Sequence, residues 1–325
     1  MWKGKAFPFF LVSLFLCATP IFQAFAQPIP VDPAVQAQID LLGKAVARNG
    51  HSFTVGYSDA MDKTIDELCG LKEPPNWEKS APVMPPMLSA VALPSSLDWR
   101  ALGADVPIKN QGGCGDCWAF GTLAPLEAQI KLQCGVTADL SEQYLASCNI
   151  DGWGCNGGWW AHDYQLDKSG QDNSGPGAVL ENGFPYKDSE TPCEGPYRHT
   201  YTISNWGYLA DDGAVPSVRT LKEAIYAYGP ISAAVYVGPL FQAYNAGIFD
   251  ADEQGQVNHA ITLVGWVDDA GPDNGYWILR NSWGTSWGEN GYMRIRYANN
   301  QVGYAANFVQ FACPADAVTP GTHSN

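Results

Sequence analysis

The sequence predicts an α+β protein of two closely packed lobes, with a cleft where the lobes meet. Helical patterns begin at Cys117 and at Ser141, whereas the chain after Tyr228 holds four β-type segments. No long linker separates the helix-rich part from the strand-rich part. The chain has 325 residues, of which 46% are apolar, and this is enough for a sizeable core.

The N-terminus has the pattern of a signal peptide. Two lysines precede an almost wholly apolar run over residues 6–18, and Ala24-Phe25-Ala26 offers a small-x-small cleavage site. The run is too short to span a membrane. A lipoprotein anchor at Cys17 is the alternative, but the leucine before it has the wrong size for that cleavage. We expect residues 1–26 to be removed on export, with a secreted or periplasmic product; a lysosomal or vacuolar location stays open.

Residues 27–92 are predicted to be a short pro-segment and linker. Apolar residues recur at helical spacing between an Asp32-Pro33 start signal and an Asn49-Gly50 stop signal. A second segment, Phe53–Leu68, precedes a proline-rich linker. This composition favours a piece that is extended and then cut, and a small helical appendage is the alternative.

The stretch from Gln111 to Leu132 concentrates the candidate chemistry. Cys117 lies where a glycine-rich turn becomes a helix, and the free N–H groups and partial positive charge of a helix start favour a thiolate. The Gln111 side chain could donate a hydrogen bond to an oxyanion. Pro125 inside the helix removes an N–H donor, and we expect a kink there.

The rest of the chain supplies the two lobes. Ser141 is a good N-cap for a helix through Ala146, and the glycine-rich, aromatic stretch 154–160 suits a cleft wall lined by backbone. Residues 167–177 are polar and glycine-rich, as in an exposed loop, and residues 219–228 have a helical pattern. Four segments are predicted as strands: Ile231–Val237, His259–Val267, Gly275–Asn281 and Gly291–Tyr297.

Charge and cysteine content narrow the function classes. The 18 basic and 33 acidic residues give a net charge of −15, which argues against nucleic acid as a partner. The cysteines do not fall into paired C-x-x-C units, so no zinc site and no cofactor are expected. A redox role for Cys114 and Cys117 is the alternative that their spacing suggests, but no strand–helix pattern of that fold precedes them.

An odd number of cysteines remains after export. Of nine, Cys17 leaves with the signal peptide and Cys69 lies in the pro-segment, where it is unexplained. Seven remain in the region from residue 93 onward. In an oxidising compartment, three disulfides plus one reactive thiol is the economical interpretation.

Only one of the five histidines is a good candidate for a base. His51 lies in the pro-segment and His323 in the C-terminal tail, and His162 and His199 are interpreted as surface or structural residues. His259 starts an apolar run and is predicted at the rim of the strand-rich lobe. Asn281 at a strand end could orient a histidine ring, with Trp283 shielding that bond from water.

Several motifs follow one another along the chain: SLDWR, CGDCWAF, GCNGG, NHAITLVGW and NSWGTSWGENGY. In this order they resemble the papain family of cysteine peptidases. The resemblance runs from about Leu93 to Asn307 and implies a two-lobe papain-like fold, with a helical lobe, a β-barrel-like lobe and the active-site cleft between them. The domain is placed at residues 93–313, followed by a flexible tail at 314–325.

The resemblance implies the roles of four residues. Cys117 would be the nucleophile and His259 its general base and acid. Asn281 would orient His259, while the Gln111 side chain and the Cys117 N–H would form the oxyanion hole. The reaction implied is peptide-bond hydrolysis through a thioester.

The resemblance also implies the disulfides. Two bridges match those of the family's first lobe, whereas the usual second-lobe pair is absent, and we propose that the two cysteines left over pair with each other. The expected bridges are Cys114–Cys155, Cys148–Cys193 and Cys134–Cys313.

Substrate binding is expected at a backbone edge and an apolar pocket, with a bulky apolar residue preferred at P2 and endopeptidase action favoured. The residues implied are Gly157, Gly158, Trp159, Trp160, Ala234, Val257, Ala260 and Trp283. The expected partners are peptide or protein substrates and the pro-segment itself as an intramolecular inhibitor. The protein is expected to act as a monomer, with no membrane association after signal cleavage.

Two alternatives and one departure from the family stay open. A catalytically weak protein of this fold could bind peptides or inhibitors, and the same machinery could transfer acyl groups as a transglutaminase does. The family usually carries a small residue at the position of Asp116. A carboxylate there suits a helix start but opposes a neighbouring thiolate, so we expect Asp116→Ser to lower the acidic limb of the pH–rate profile.

Overall fold

The computed structural model of the chain describes Met1 and residues 31–83, 92–210 and 213–314. The predicted signal peptide beyond Met1, the linker residues 84–91 and the tail from residue 315 lie outside the described residues. Among the described residues, no helix combines the length and the apolar character needed to cross a membrane.

The described residues form seven α-helices and eleven β-strands. The helices are α1 Pro33–Asn49, α2 Ile65–Leu68, α3 Cys117–Cys134, α4 Glu142–Cys148, α5 Asp163–Leu166, α6 Val218–Tyr228 and α7 Pro239–Gln242. The strands are β1 Phe53–Val55, β2 Ser96–Asp98, β3 Ala178–Val179, β4 His199–Tyr201, β5 Asn205–Tyr208, β6 Ile231–Val235, β7 Tyr244–Phe249, β8 His259–Asp268, β9 Gly275–Arg280, β10 Tyr292–Arg296 and β11 Tyr304–Gln310.

One nine-stranded sheet organises the strand-rich lobe. Its order is β1-β7-β10-β9-β8-β6-β11-β5, with β2 pairing to β8 beside this path. Neighbours are antiparallel except β7 and β10, which run parallel. Each lobe has its own apolar core: one is built on the sheet with α6, and the other surrounds α3 and α4. The predicted α+β class with two lobes is confirmed.

Local signals locate most of these elements. The Asp32 side chain accepts a hydrogen bond of 2.7 Å from the Ala34 N–H at the start of α1, and Gly50 ends that helix with φ 70°. The Ser141 hydroxyl accepts from the Tyr144 N–H at 3.0 Å and caps α4 as predicted. The four predicted strands are present within two residues of their predicted ends.

Five further strands of the large sheet, β1, β2, β5, β7 and β11, are absent from the sequence prediction. β11 contains Ala305 at φ 47°, and β7 contains Gly247 at φ 102°, so neither has a regular alternating pattern. Both join the sheet through partners distant in sequence: β7 pairs with β1 and β10, and β11 with β5 and β6. Pairing between distant segments, rather than local propensity, makes them strands.

Close packing of α3 on the sheet brings the two lobes together. A Cβ atom at Gly121 of α3 would lie 2.9 Å from the Cβ of Ala260 in β8, closer than real Cβ atoms approach. The Ser232 hydroxyl in β6 donates to the Gly121 carbonyl at 2.7 Å. The glycine therefore lets the helix that begins at Cys117 approach the strand that begins at His259.

Three disulfides join described cysteines: Cys114–Cys155 and Cys148–Cys193, which the resemblance implies, and Cys134–Cys313, which is predicted from the two cysteines left over. The third links the end of α3 to the segment after β11, across 179 positions of the sequence. Cys69 and Cys117 are the described cysteines that carry free thiols.

Candidate active site

Cys117 is the first residue of α3 and is fully buried. Burial raises the pKa of the Cys117 thiol to about 12, and the Asp116 carboxyl adds to this rise, whereas the backbone of Ala260, Gly70 and Leu71 opposes it. The sequence prediction of a thiolate at a helix start is therefore wrong for this closed form. Desolvation outweighs the helix terminus because the pro-segment covers the cleft.

His259 begins β8, and Asn281 directly follows β9. The His259 Nε2 atom lies 2.8 Å from the Asn281 Oδ1 atom, and both residues are buried. Burial lowers the pKa of His259 to about 4, although the Asn281 side chain and the Leu68 backbone favour the protonated ring. The Trp283 ring lies 4.8 Å from the His259 ring, between centroids, and covers the histidine–asparagine pair.

Because Nε2 of the His259 ring is paired with Asn281, Nδ1 is the ring nitrogen that remains for a second interaction. It is buried and has no hydrogen-bond partner among the described residues. The backbone of Ala260, the next residue, acts on the Cys117 sulfur, so His259 borders the nucleophile position. The neutral Nδ1 atom is thus available to accept a proton.

Gln111 bridges the two lobes from the cleft floor. Its Nε2 atom donates to the Cys114 carbonyl at 2.9 Å and to the Leu68 carbonyl at 3.0 Å. Its Oε1 atom accepts from the Ser282 hydroxyl at 2.7 Å, and its backbone N–H donates to the Ser282 carbonyl at 2.9 Å. These four hydrogen bonds hold Gln111 in place, with one amide N–H group directed at the Leu68 carbonyl of the pro-segment.

Asp116 is buried rather than directed into solvent. Its two carboxyl oxygens each lie 2.9 Å from the Tyr186 hydroxyl, which can donate to one of them at a time. Burial raises the pKa of Asp116 well above its ordinary value, although the Tyr186 hydroxyl opposes the rise. This shift favours the neutral form of the carboxyl beside Cys117.

The pro-segment passes through the cleft directly after α2. The Leu71 N–H donates to the Asn258 carbonyl, the Lys72 N–H to the Gly158 carbonyl and the Gly158 N–H to the Gly70 carbonyl, each at 2.9 Å. Leu71 and Gly158 form a parallel bridge. The pro-segment thus pairs with the glycine-rich wall by backbone hydrogen bonds, as one strand does with another.

Gly70 makes the closest approach of this segment to the cleft floor. A Cβ atom at this position would lie 1.6 Å from the Gly115 carbonyl oxygen. No side chain fits between the two backbones, so the segment lies at this depth because residue 70 is a glycine.

The scan of the chain against family profiles matches the papain family cysteine protease profile over residues 93–312. The chain belongs to the papain family of cysteine proteases. The match spans more than half of the chain and covers the whole region between the predicted linker and the C-terminal tail.

Curated members of the papain family resemble the chain over most of its length. It is 35% identical over 257 residues to the senescence-specific cysteine protease SAG12 of Arabidopsis thaliana, covering 76% of this chain and 72% of that protein. It is 34% identical over 256 residues to fruit bromelain of Ananas comosus, covering 77% of this chain and 69% of that protein. The protein is a papain-like cysteine-type endopeptidase.

Solved precursors of the papain family share its fold. A recombinant stem bromelain precursor superposes with a TM-score of 0.71 at 28% identity, covering 86% of this chain and 90% of that chain. Digestive procathepsin L 3 of the Tenebrio molitor larval midgut superposes with a TM-score of 0.67 at 26% identity, covering 87% and 94% of the two chains. Both similarities extend well beyond the region matched by the papain family profile.

The implied pocket residues come together at the lobe interface. Trp159, Trp160, Ala234, Val257 and Ala260 are all buried and belong to one apolar cluster, whereas Trp283 lies over His259 instead. The same cluster contains Leu71 and Trp77 of the pro-segment. The Trp77 ring lies 5.5 Å from the Trp159 ring and 4.7 Å from the Tyr208 ring, between centroids.

The sequence prediction does not include three residues that lie in the closed cleft: Gly70, Leu71 and Trp77. The segment Phe53–Leu68 ends before these residues, and a Gly-Leu pair followed by prolines has the composition of a linker. Trp77, one large aromatic in a proline-rich stretch, is the signal that could have indicated a buried anchor.

The redox alternative fails because Cys114 is joined to Cys155, so the C-x-x-C sequence does not hold a dithiol. Among the described residues, no group of three or more histidine, cysteine or acidic side chains is arranged to hold a metal ion.

Proposed function

We propose that the chain is the latent precursor of a cysteine endopeptidase that cleaves peptide bonds with Cys117 as nucleophile and His259 as its proton carrier. The observation that carries the proposal is the Leu68 carbonyl, which accepts a hydrogen bond of 3.0 Å from the Gln111 amide. A peptide carbonyl of the protein itself therefore lies where an oxyanion donor would hold a substrate carbonyl.

The proposed reaction has two halves. His259 accepts the Cys117 proton at Nδ1, and the sulfur attacks the carbonyl carbon of the scissile bond. The Gln111 amide and the Cys117 N–H stabilise the resulting oxyanion, and the imidazolium then protonates the leaving amine. Water, deprotonated by His259, hydrolyses the thioester through a second oxyanion. Asn281 acts as a positioning residue because its Oδ1 atom fixes the ring through Nε2.

The pro-segment is proposed to inhibit in cis by occupying the substrate position. Its backbone pairs with Gly158 in the parallel direction, and Gly70 and Leu71 lie against Cys117. It excludes water and substrate from the nucleophile and favours the neutral forms of both catalytic groups.

The preference at P2 is proposed to be for a bulky apolar residue. The buried Leu71 side chain belongs to the same cluster as the five implied pocket residues, and its N–H and the next one are bonded to the cleft walls. A substrate side chain of similar character could replace it with little change in packing.

The test uses the full chain and its Cys117→Ser variant as the matched control. After acid treatment, an epoxide probe that traps active thiols should label Cys117 in the wild-type protein and leave the variant unlabelled. A peptide substrate with Leu at P2 should be cleaved at a higher kcat/KM than one with Arg. Cys117 that fails to react in a folded, processed protein would favour the peptide-binding alternative.

Export is proposed from the N-terminal sequence alone. N-terminal sequencing of the protein recovered from the medium or periplasm of an expressing cell would test it. A start at Gln27 supports cleavage after Ala26, and a chain that keeps residues 1–26 contradicts it.

A further inference from the structure

The chain has two free thiols near the point where the pro-segment crosses the catalytic cysteine. In the part of the chain that the structure describes, every cysteine except Cys69 and Cys117 belongs to a disulfide. Cys69 is held in register on both sides: the Leu68 carbonyl is bonded to Gln111, and the Gly70 carbonyl to the Gly158 N–H.

The surroundings of Cys69 place the backbone that follows it against Cys117 and its thiol within electrostatic range of the Cys117 thiol. The backbone of Gly70 and Leu71 acts directly on the Cys117 sulfur. The pKa of the Cys69 thiol is raised, first by burial and next by the charge of the Cys117 thiolate. Gly70 can approach the floor beside Gly115 only because it has no Cβ atom, and this depth brings the Cys69 backbone down with it.

We propose that Cys69 and Cys117 form a reversible disulfide that fastens the pro-segment covalently in the cleft under oxidising conditions. A cysteine at position 69 could instead be only an apolar filler, since its side chain packs against the core of the strand-rich lobe. Two observations favour the disulfide: the residues on both sides of Cys69 are held in the cleft that contains the free Cys117 thiol, and Cys69 is only partly buried, so an oxidant can reach it.

The reaction needs an oxidant, which is a disulfide of a small thiol or of another protein. The Cys69 thiolate attacks one sulfur of that disulfide, forming a mixed disulfide and releasing the first thiol. Cys117, whose proton passes to His259, then attacks the Cys69 sulfur and releases the second thiol. Two protein thiols are oxidised, one external disulfide is reduced to two thiols, and the protons end on the released sulfurs. A reductant reverses both steps.

The three other disulfides of the chain indicate an oxidising environment, which is what a Cys69–Cys117 disulfide requires. Three disulfides form where thiols are oxidised, and the partly accessible Cys69 thiol meets the same oxidants. The cross-link would also keep the Cys117 sulfur from irreversible oxidation to sulfinic acid. Formation of the cross-link requires only the proximity of the two sulfurs; its effect on latency rests on the proposed peptidase function.

The experiment uses the full chain with a specific protease recognition sequence placed in the linker at residues 84–91. The protein is incubated with oxidised glutathione, the linker is cut, and a denaturing gel is run without reductant. Cys69 is the sole cysteine between residues 27 and 92, so it is the one that can hold the cut pro-segment to the peptidase domain. We expect one band, which dithiothreitol separates into two, and a linked peptide containing Cys69 and Cys117 in mass spectrometry.

Cys69→Ser and Cys69→Ala are the matched controls, and both should separate into two bands without reductant while keeping the three other disulfides. Two bands from the oxidised wild-type protein, or recovery of Cys69 and Cys117 as free thiols or separate glutathione adducts, would overturn the proposal. Because the linker is cut by an added protease, this result does not depend on the activity of the chain. A protein that forms the cross-link but shows no peptidase activity after reduction and acid processing would contradict the proposed function and leave the cross-link standing.

Discussion

The structure contains two buried histidine–asparagine pairs of nearly the same geometry. The His259 Nε2 atom lies 2.8 Å from Asn281 Oδ1 in the strand-rich lobe, and the His162 Nε2 atom lies 2.7 Å from Asn307 Oδ1 beside α5. Burial lowers the pKa of each histidine to about 4. In both rings, Nδ1 is buried and has no hydrogen-bond partner among the described residues.

The pairs differ in what lies around them. His259 borders Cys117 and the Leu68 carbonyl, which Gln111 binds. The contacts of the His162 ring in the described structure are Asn307 and the Trp206 ring at 5.0 Å, and neither carries a nucleophile. A perturbed histidine oriented by an amide therefore does not by itself identify a catalytic site; the thiol of Cys117 and the amide of Gln111 nearby make His259 the candidate.

The sharpest test of this comparison removes each histidine in turn. His259→Ala should lower kcat/KM of the acid-processed enzyme by about 10²–10⁴-fold, because the proton carrier is lost. His162→Ala should change kcat/KM much less and instead lower the free energy of unfolding by about 1–3 kcal/mol, since Asn307 loses a buried partner. Peptide hydrolysis measures kcat/KM of both variants, and urea unfolding measures their free energy of unfolding. Equal losses of activity would show that His162 also acts on catalysis.

Removing the oxyanion donor should have the next largest effect. Gln111→Ala is expected to lower kcat by roughly 100- to 1000-fold, because one donor to the oxyanion is lost. The Gln111→Glu variant keeps the shape and loses the N–H donors, so its kcat should fall to a similar extent. Steady-state kinetics with active-site titration measures this, and a Gln111→Glu variant with wild-type kcat would exclude the proposed donor.

His162 should make the folded protein sensitive to acid. Its pKa lies near 4 in the folded state and near 6.5 in the unfolded chain, so the unfolded state binds more protons between these pH values. Its contribution is complete above pH 6.5 and declines as the pH falls towards 4, by about 3 kcal/mol in all. In a Cys117→Ser background, which prevents autolysis, His162→Gln should lose less stability between pH 7 and pH 4 than the parent. Parallel curves for the two proteins in urea unfolding would contradict this.

The smallest effect is expected at Asp116. The sequence expectation for Asp116→Ser assumes a charged side chain, but burial raises the pKa of Asp116 and favours its neutral form. Asp116→Asn should therefore leave the acidic limb of the pH–rate profile in place and change kcat/KM by less than about tenfold, since one neutral group replaces another. The variant should gain stability relative to the wild type as the pH rises, because the buried carboxyl must then ionise. An acidic limb that moves in Asp116→Asn would show a charged Asp116.

The sequence predicts the α+β class, the helix at Cys117 and the strands that carry His259 and Asn281, because these depend on local patterns and ordered motifs. It does not predict that His162 meets Asn307, 145 residues away, or that Tyr186 faces Asp116. Such pairs depend on how distant segments pack. Cys69 is the clearest case, since nothing around it in the sequence indicates that the residues directly after it lie against Cys117.

The closed form, in which the pro-segment lies in the cleft, requires a residue without a side chain at position 70. Its Cα atom lies so close to the Gly115 carbonyl that a methyl group cannot be added while the pro-segment lies in the cleft. Once the pro-segment leaves the cleft, that contact no longer exists, so Gly70→Ala should destabilise only the closed population. A full chain carrying Gly70→Ala should bind the epoxide probe at neutral pH before any processing, whereas the parent should not. Latency would then depend on the absence of a single carbon atom.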